Sequence, residues 1–316
     1  MPSTTLVTGA AGFAGSHLLD LLVADAAHSP GATIVAWQRS DSDGSGGRHA
    51  SAGVQWESID LLDREAVRAS IDRIRPTAVY HCAGAAHVGR AWEHAESTFA
   101  TNVRGTHYLL DALARTGVES RMLIPSSALV YAPAGRALRE DDPLRPSSPY
   151  GLSKLAQEML APHAGRRVTV LVARAFNHFG PRQDPFFAAS GFARRIADIE
   201  RGTWAPEISV GNLEARRDLT DVRDTVRAYR LILERAEPGE IFNVCSGVAI
   251  QIRELLDRLI AHARVAVRIR IDPARYRPND TPLLLGDPSR IRKTLGWMPQ
   301  IDLDRTVDDL LAYWRT

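Results

Sequence analysis

The segment VTGAAGFAG, residues 7–15, decides the fold of this 316-residue chain. It places Gly9, Gly12 and Gly15 after the β-branched run TTLVTG and at the start of a helical pattern from about 13 to 23. A tight turn needs a residue without Cβ, and a pyrophosphate needs bare backbone N–H groups at the positive end of a helix. The G-x-x-G-x-x-G spacing therefore predicts a dinucleotide site at the first strand-to-helix turn.

Short apolar runs alternate with helical patterns through the first half of the chain. The strand-like runs TIVAWQ (33–38), TAVYHCA (77–83) and RMLIPSS (121–127) are separated by helical patterns at about 63–74 and 97–115. Parallel strands are buried on both faces and therefore read as continuous apolar runs. The order predicts an α/β fold with a Rossmann-type doubly wound parallel sheet.

The second half of the chain predicts a smaller, mixed α/β C-terminal domain that binds substrate. We assign 1–175 to the dinucleotide-binding Rossmann domain, to which 212–240 returns. Residues 176–211 and 241–316 are assigned mainly to the substrate domain.

The composition argues against several classes of protein. Basic residues number 39 and acidic residues 37, so the formal net charge of +2 gives no reason to expect a nucleic-acid partner. The N-terminus has no basic segment followed by an apolar signal core, and no apolar run reaches the roughly 20 residues of a membrane span. We therefore expect a cytoplasmic protein without a membrane partner. Cys82 and Cys245 lie in apolar segments without metal-ligand spacing, which predicts buried thiols and no metal.

The segment SSPYGLSKLAQEML places Tyr150 and Lys154 four residues apart on one face of a predicted helix, which Ser148 caps and Pro149 begins. A neighbouring ammonium stabilises a phenolate and is expected to lower the pKa of Tyr150. The pair thus predicts a proton donor for a carbonyl that is being reduced, or a base for an alcohol that is being oxidised.

A hydroxyl must hold the reacting oxygen beside the phenol. Ser127 ends a strand of the same sheet, and the carboxyl ends of parallel strands line the ligand crevice. We therefore predict Ser127 as the third catalytic residue, with Ser126 as the substitute.

The end of the second strand predicts which dinucleotide binds. An NAD site of this type needs an acid there, whereas this chain has Gln38, Arg39 and Ser40, which suit a 2′-phosphate. Asp41 and Asp43 follow slightly later. We expect NADPH or NADP, with NAD as the alternative; Arg39 as a solvated loop charge is the competing interpretation.

Together these residues resemble the extended short-chain dehydrogenase/reductase family, whose epimerases, dehydratases and reductases modify nucleotide sugars. The segment TNVRGTHYLLDA (101–112) also resembles that family. The resemblance implies a homodimer that pairs through helices at about 97–115 and 149–162. It also implies a set of cofactor contacts: Gly9, Gly12, Phe13, Gly15, Arg39, Ser40, Asp60, Leu61, Ala83, Asn102, Tyr150 and Lys154.

Later segments narrow the resemblance to the branch of GDP-mannose 4,6-dehydratases and GDP-4-keto-6-deoxymannose reductases, the reductases most closely. The segments RAFNHFGPRQ (174–183), VGNLEARRDLTDVRD (210–224) and RPNDTPLLLGD (277–287) carry it. His178 is expected to pack rather than to act as an acid. The resemblance implies these substrate contacts: His87, Ser126, Ser127, Asn177, Asn212, Arg217, Arg277 and Asp280.

Leu129 narrows the expected reaction. A 4,6-dehydratase must remove the proton at sugar C5, and the family keeps a glutamate two places after the catalytic hydroxyl, where this chain has Leu129. We therefore expect an NADPH-dependent reductase of a GDP-linked 4-keto-6-deoxyhexose, with hydride delivered to C4. The alternatives are a nucleotide-sugar 4-epimerase with tightly bound NAD and, behind it, a 4,6-dehydratase or a non-catalytic NADP-binding protein.

Overall fold

The computed structural model describes residues 4–26, 32–39, 53–275 and 281–316. Ser40, Arg277 and Asp280, for which the sequence predicts ligand contacts, lie outside these ranges. Within the described ranges, none of the helices has both the length and the apolar character that crossing a bilayer requires.

Strands are short and occur along the whole chain. In chain order they are β1 (Thr4–Thr8), β2 (Thr33–Gln38), β3 (Val54–Ser58), β4 (Ala78–His81), β5 (Ser120–Ser127), β6 (Val168–Ala175), β7 (Asn177–Phe179), β8 (Glu207–Val210), β9 (Arg216–Asp221), β10 (Ile241–Val244), β11 (Ala249–Gln251), β12 (Arg268–Ile271) and β13 (Leu283–Leu284).

Helices follow most strands. In chain order they are α1 (Phe13–Ala26), α2 (Arg64–Ile74), α3 (Val88–Glu93), α4 (Ala95–Phe99), α5 (Gly105–Thr116), α6 (Pro149–Met159), α7 (Ala188–Glu200), α8 (Val222–Arg235), α9 (Ile252–Ala261), α10 (Ser289–Leu295) and α11 (Leu303–Arg315). A π-helical turn, Ala100–Arg104, joins α4 to α5.

A seven-stranded sheet forms the larger part, in the order β10-β6-β5-β4-β1-β2-β3, with every neighbouring pair parallel. Leu6 and Val7 of β1 enter hydrophobic clusters on opposite faces, as alternation along a strand requires. Helices α1, α8 and α10 contribute to one cluster, and α2 and α5 contribute to the other. The predicted doubly wound Rossmann-type sheet is confirmed.

The smaller part has its own sheets and its own core. Strand β9 pairs with β7, β11 and β13, and β8 pairs with β12. Helices α7, α9 and α11 bury a separate hydrophobic cluster against these strands. The chain returns to the large sheet with α8 at 222, rather than at 212, and β10 at 241–244 belongs to that sheet. The predicted boundaries therefore need correction at both ends of the returning segment.

The two thiols differ in exposure. Cys245 is buried beside Gly286 at the junction of the two parts, and Cys82 is only half-buried after β4. The prediction of buried thiols therefore holds fully for Cys245 alone. No group of three or more His, Cys, Asp or Glu side chains that could hold a metal occurs within the described ranges.

Trp297 is expected to be a main stabilising side chain of the large part. It is 0% exposed in the cluster with α8, and its indole N–H donates to Asp224 O at 3.1 Å. Replacing it as Trp297→Ala should lower the free energy of unfolding by about 3–5 kcal/mol, because it opens a cavity. Urea denaturation followed by circular dichroism measures this loss.

Trp92 provides the matched control, since it is 54% exposed. Trp92→Ala should change the unfolding free energy by less than about 0.5 kcal/mol. Equal effects of the two substitutions would contradict the assignment of Trp297 to the core.

Candidate active site

The glycine turn after β1 is sterically closed to side chains. Gly9 has φ +64°, and a Cβ there would lie 2.6 Å from the backbone of Ala83. A Cβ on Gly15 would lie 2.1 Å from Gly9 O. Gly12 N–H donates to Gly9 O at 2.9 Å, which closes the turn at the start of α1. The turn thus presents backbone at a helix N-terminus, an arrangement that fits a dinucleotide pyrophosphate.

The loop after β4 is fixed from behind by Asn102. Its Oδ1 accepts from Ala85 N at 2.7 Å, and its Nδ2 donates to Ala85 O at 3.2 Å and to Ser153 Oγ at 2.9 Å. Asn102 is 0% exposed. Asn102 therefore ties the loop 83–85 to α6, and its predicted contact with the cofactor stays a prediction. Ala83, also predicted, lies directly against Gly9.

Helix α6 lies directly on the turn that follows Ser127. Ser148 caps the helix by accepting from Gly151 N at 3.1 Å, and Pro149 takes its first position. A Cβ on Gly151 would lie 2.4 Å from Leu129 O, so only glycine permits this approach. The close contact brings the preceding residue, Tyr150, beside Ser127.

Ser127 and Tyr150 are joined by a hydrogen bond between their hydroxyls. Ser127 Oγ also accepts from Leu129 N at 3.2 Å, which fixes its side chain. Burial raises the pKa of Tyr150 to about 12, and the bond with Ser127 acts in the opposite direction. The phenol is therefore protonated at neutral pH, the state that a proton donor requires.

Lys154 is held by Gln157 one turn further along α6. Its Nζ donates to Gln157 Oε1 at 2.5 Å, and the side chain is buried. Burial lowers the pKa of Lys154 to about 8, while the nearby Glu158 carboxylate and the Cys82 thiol raise it. The predicted lowering of the Tyr150 pKa by Lys154 is wrong for this structure, because burial of the phenol outweighs the factors that lower its pKa.

Ser126 is hydrogen-bonded to a buried ion pair. It is 5% exposed and donates to Glu158 Oε1. Glu158 pairs with Arg174 of β6 at 2.8 Å, and Arg174 also donates to Tyr131 Oη at 3.0 Å and to Glu140 O at 2.9 Å. Ser127 rather than Ser126 bonds to Tyr150, and the predicted contact of Ser126 with substrate stays a prediction.

Other predicted cofactor contacts lie along the carboxyl edge of the sheet. Arg39 follows β2 and is exposed. Asp60 is also exposed, and its Oδ1 accepts from Leu62 N at 2.9 Å. Leu61 is only 7% exposed and lies against the α carbon of Gly105, 3.1 Å from where a Cβ would stand. Arg39 and Asp60 are thus exposed to solvent, whereas Leu61 mainly packs against α5.

Phe13, at the first turn of α1, stacks on His178 with ring centres 5.8 Å apart and planes within 5°. The His178 Nδ1–H donates to Phe176 O at 3.1 Å, and burial lowers the pKa of the imidazole. His178 is therefore a neutral packing group, in agreement with the expectation that it packs. The stack joins the glycine turn to the segment after β6.

Two predicted diphosphate contacts lie near the edge of the smaller sheet. Asn177 is exposed at the start of β7, which pairs with β9. Arg217 of β9 donates to Thr281 O at 2.7 Å, the first described residue after 275. Asn212 Oδ1 accepts from Glu214 N at 2.9 Å and so shapes its own turn. Asn177 of β7 and Arg217 of β9 therefore lie on neighbouring strands of the smaller part.

His87 joins the two parts of the molecule. Its Nδ1 accepts from Arg90 N at 3.1 Å and caps α3. Its ring lies 5.6 Å from that of Phe186 and 5.4 Å from that of Phe187. These contacts connect the start of α3 to the segment before α7, and the predicted contact of His87 with substrate stays a prediction.

The sequence reasoning missed the buried residues that hold the catalytic side chains. Glu158 follows Tyr150 and Lys154 at the same four-residue spacing, so the helical stripe could have identified it. Arg174 and His81 interrupt otherwise apolar strands, and a lone charge or imidazole in such a run indicates a buried polar partner. Gln157 carried no comparable signal.

The sheet, the glycine turn and the Ser127, Tyr150 and Lys154 arrangement define an extended short-chain dehydrogenase/reductase of the epimerase/dehydratase type. Residues 6–310 match the model of the GDP-mannose 4,6 dehydratase family, and the chain belongs to that family. The predicted resemblance is thereby confirmed.

Three relatives show how closely the chain follows this family. It is 35% identical to the GDP-6-deoxy-D-mannose reductase of Pseudomonas aeruginosa, over 100% of this chain and 98% of the relative. The structure of RMD from Pseudomonas aeruginosa complexed with NADPH matches with a TM-score of 0.84 and 32% identity, over 99% of both chains. The UDP-glucose 4-epimerase of Thermotoga maritima with UDP-glucose matches at 0.84 and 26%, over 99% of this chain and 98% of that one.

The glycine turn gives a sharp test of the dinucleotide site. Gly9→Ala should weaken NADPH binding at least about tenfold and destabilise the fold, since its Cβ meets the backbone of Ala83 at 2.6 Å. Titration with NADPH, followed by nicotinamide fluorescence, measures the affinity.

Gly117→Ala is the matched control, because Gly117 has nearly the same φ, +67°, but nothing within 4 Å of its Cβ position. It should cost about 1 kcal/mol of stability for the left-handed backbone and leave NADPH binding unchanged. An unchanged NADPH affinity in Gly9→Ala would refute the site.

Proposed function

We propose that this protein is an NADPH-dependent reductase of a GDP-linked 4-keto-6-deoxyhexose, which reduces the C4 carbonyl. The observation that carries the proposal is the Ser127, Tyr150 and Lys154 arrangement beside a side chain, Leu129, that cannot transfer a proton. The relative named as a GDP-6-deoxy-D-mannose reductase, which spans the whole chain, supports the same reading.

The surroundings of Leu129 argue against dehydration. The cavity beside the Ser127 turn is lined, within the described residues, by apolar and hydroxyl side chains: Ala128, Leu129, Tyr131, Ala132, Pro133, Leu138, Ser147, Thr281, Leu283 and Leu284. Removing a proton from a sugar carbon needs a base at that carbon. The nearby carboxylates are engaged elsewhere, Glu158 with Arg174 and Glu140 with Asn243 N at 2.9 Å.

The chain supplies proton transfer and orientation. NADPH, when bound, supplies the hydride. Ser127 holds the carbonyl oxygen beside Tyr150, and the protonated phenol donates to that oxygen as charge develops on it. An alkoxide is a far stronger base than a phenolate, so a phenol with a pKa of about 12 still donates. The ammonium of Lys154 lies on the same helical face, where it can hold the nicotinamide ribose and stabilise the phenolate that remains.

The choice of NADPH rests on Arg39 and on a relative. Arg39 is exposed at the end of β2, where a 2′-phosphate would lie. Asp60 follows β3, the strand next to β2 in the sheet. We assign it to the adenine rather than to the ribose. The structure of RMD from Pseudomonas aeruginosa contains NADPH, which supports the same choice.

Two further parts of the proposal are a homodimer and a cytoplasmic location. Leu152 and Met159 are 49% and 65% exposed on α6, one of the two helices through which the family resemblance implies pairing. Exposed apolar side chains on one helix suit a second copy of this chain.

Substitutions at the two adjacent serines distinguish a catalytic role from a structural one. Ser127→Ala should lower kcat for the keto sugar by about 10²–10⁴ with little loss of stability, because it removes the group that holds the reacting oxygen. Ser126→Ala should lower the unfolding free energy by about 1–3 kcal/mol, because Glu158 loses a buried donor. Steady-state kinetics and urea denaturation on both variants measure these effects. A larger kcat loss in Ser126→Ala would reverse the assignment.

The reaction itself is tested with a panel of nucleotide-linked 4-keto sugars and NADPH, followed at 340 nm. The GDP-linked 4-keto-6-deoxy sugar should be reduced fastest, and the product should carry a hydroxyl at C4. Tyr150→Phe should lower kcat by about 10²–10⁴ and leave NADPH affinity unchanged, since only the proton donor is lost.

The same experiment distinguishes the alternatives. An epimerase would carry oxidised NAD through purification and leave added NADPH untouched, which would refute the proposal. Full activity of Tyr150→Phe would exclude the phenol as the proton donor, whichever sugar reacts.

A further inference from the structure

A chain of buried hydrogen bonds runs from the glycine turn to Lys154. Thr8, the last residue of β1, contacts His81 Nδ1 at 2.8 Å, and His81 Nε2 contacts Thr106 Oγ1 at 2.9 Å. Gln157 Nε2 donates to Thr106 Oγ1 at 2.7 Å, and Lys154 Nζ donates to Gln157 Oε1 at 2.5 Å. Each of these side chains is at most 7% exposed.

Each hydrogen bond in this buried series has a fixed donor and a fixed acceptor. The single Thr106 hydroxyl hydrogen goes to Asn102 O at 2.6 Å, so Thr106 Oγ1 accepts from both Gln157 and His81. His81 therefore carries its proton on Nε2 and accepts from Thr8 at Nδ1. Burial and the Lys154 charge lower the pKa of His81 to about 3, so the ring is neutral.

The orientation of the Gln157 amide follows from this order. Its NH₂ group must face Thr106, which has no other hydrogen to offer, and its carbonyl oxygen must face the ammonium. A flipped amide would direct N–H groups at the ammonium and leave a buried acceptor facing another acceptor. The carbonyl that faces Lys154 is thus held in place through Thr106 and His81 from β4.

We propose that Gln157 is a positioning residue for Lys154: its carbonyl, fixed by Thr106 and His81, keeps the ammonium charged and leaves two N–H donors for the cofactor ribose and the phenol. The proposal rests on the proposed function for the role of Lys154. It assigns a task to a residue that contacts neither the substrate nor the reacting atoms.

The charged and titratable groups around Lys154 do not replace Gln157 as an acceptor for the ammonium. Glu158 lies one turn along the same helix, Cys82 follows β4, and His81 lies within β4. Glu158 is already paired with Arg174, and both Cys82 and His81 are neutral at physiological pH. Gln157 is the side chain that accepts directly from the ammonium.

Substitutions at Gln157 should move the pH dependence of NADPH binding in opposite directions. Wild-type affinity should fall as the pH rises through about 8, where Lys154 loses its proton. Gln157→Met removes the acceptor and should move this fall about one pH unit lower, and Gln157→Glu adds a charge and should move it about one unit higher. Fluorescence titration with NADPH from pH 6 to 10 measures the affinity without any sugar.

Helix α5 offers a matched pair of controls. Thr106→Val removes the hydroxyl that anchors the Gln157 amide and should move the fall in the same direction as Gln157→Met, by less. Thr116→Val removes another buried hydroxyl of the same helix, which donates to Leu113 O at 2.8 Å, and should leave the fall where it is.

The outcomes separate the inference from the proposed function. If both Gln157 variants weaken binding equally at every pH, Gln157 is merely structural and the inference is wrong. If the shifts occur but no keto sugar oxidises NADPH, the inference stands and the proposed substrate is wrong. Thermal melting reports folding; should Gln157→Met fail to fold, Gln157→Glu and Thr106→Val carry the same test.

Discussion

The buried ion pair between Glu158 and Arg174 fixes the helix on which the chemistry depends. Their side chains are 6% and 3% exposed, and the pair joins α6 to β6 at 2.8 Å. Removing one partner of such a pair leaves a buried charge and costs about 3–5 kcal/mol. Tyr150, Lys154 and Glu158 follow one another at four-residue spacing on one helical stripe. An anchor at the far end of the stripe therefore sets the direction of the two side chains before it.

Two further contacts fix the position of α6, each at a different turn of the helix. At its start, the missing side chain of Gly151 allows the helix to rest on the Leu129 carbonyl. In its last turn, Gln157, the neighbour of Glu158, connects Lys154 to the buried hydrogen bonds that begin beside the glycine turn. The helix is thus held at its first and last turns by three kinds of contact. A site that must place a phenol within hydrogen-bond reach of a ligand oxygen needs such rigidity, because small displacements cost large factors in rate.

The sequence predicted what depends on local pattern and missed what depends on long-range contact. The turn could be predicted from the short spacing of Gly9, Gly12 and Gly15. The shared helical face of Tyr150 and Lys154 could be predicted from their four-residue spacing. The hydrogen bond of Ser126 could not be predicted from local pattern, since its partner Glu158 is 32 residues away. The adjacent Ser127 bonds to Tyr150 instead. The pKa of Tyr150 was predicted in the wrong direction because it depends on burial, which a spacing does not reveal. The domain boundaries moved because β10 joins the large sheet by pairing with β6, a contact between distant segments.

The backbone and the side chain of Leu129 have different roles. Its carbonyl oxygen receives the first turn of α6, a contact that any residue could provide. Its side chain lines the cavity beside Ser127 and packs with Leu155 and Leu284 near the cluster around Tyr131. The close approach of Gly151 therefore depends on the backbone of residue 129, whereas its side chain belongs to the packing around Tyr131. A carboxylate at this position would add a group beside Ser127 that can accept a proton, whereas leucine cannot transfer a proton and leaves that chemistry to the Ser127 and Tyr150 pair. The backbone thus places the catalytic pair, and under the proposed function the leucine side chain withholds the base that a dehydration would need.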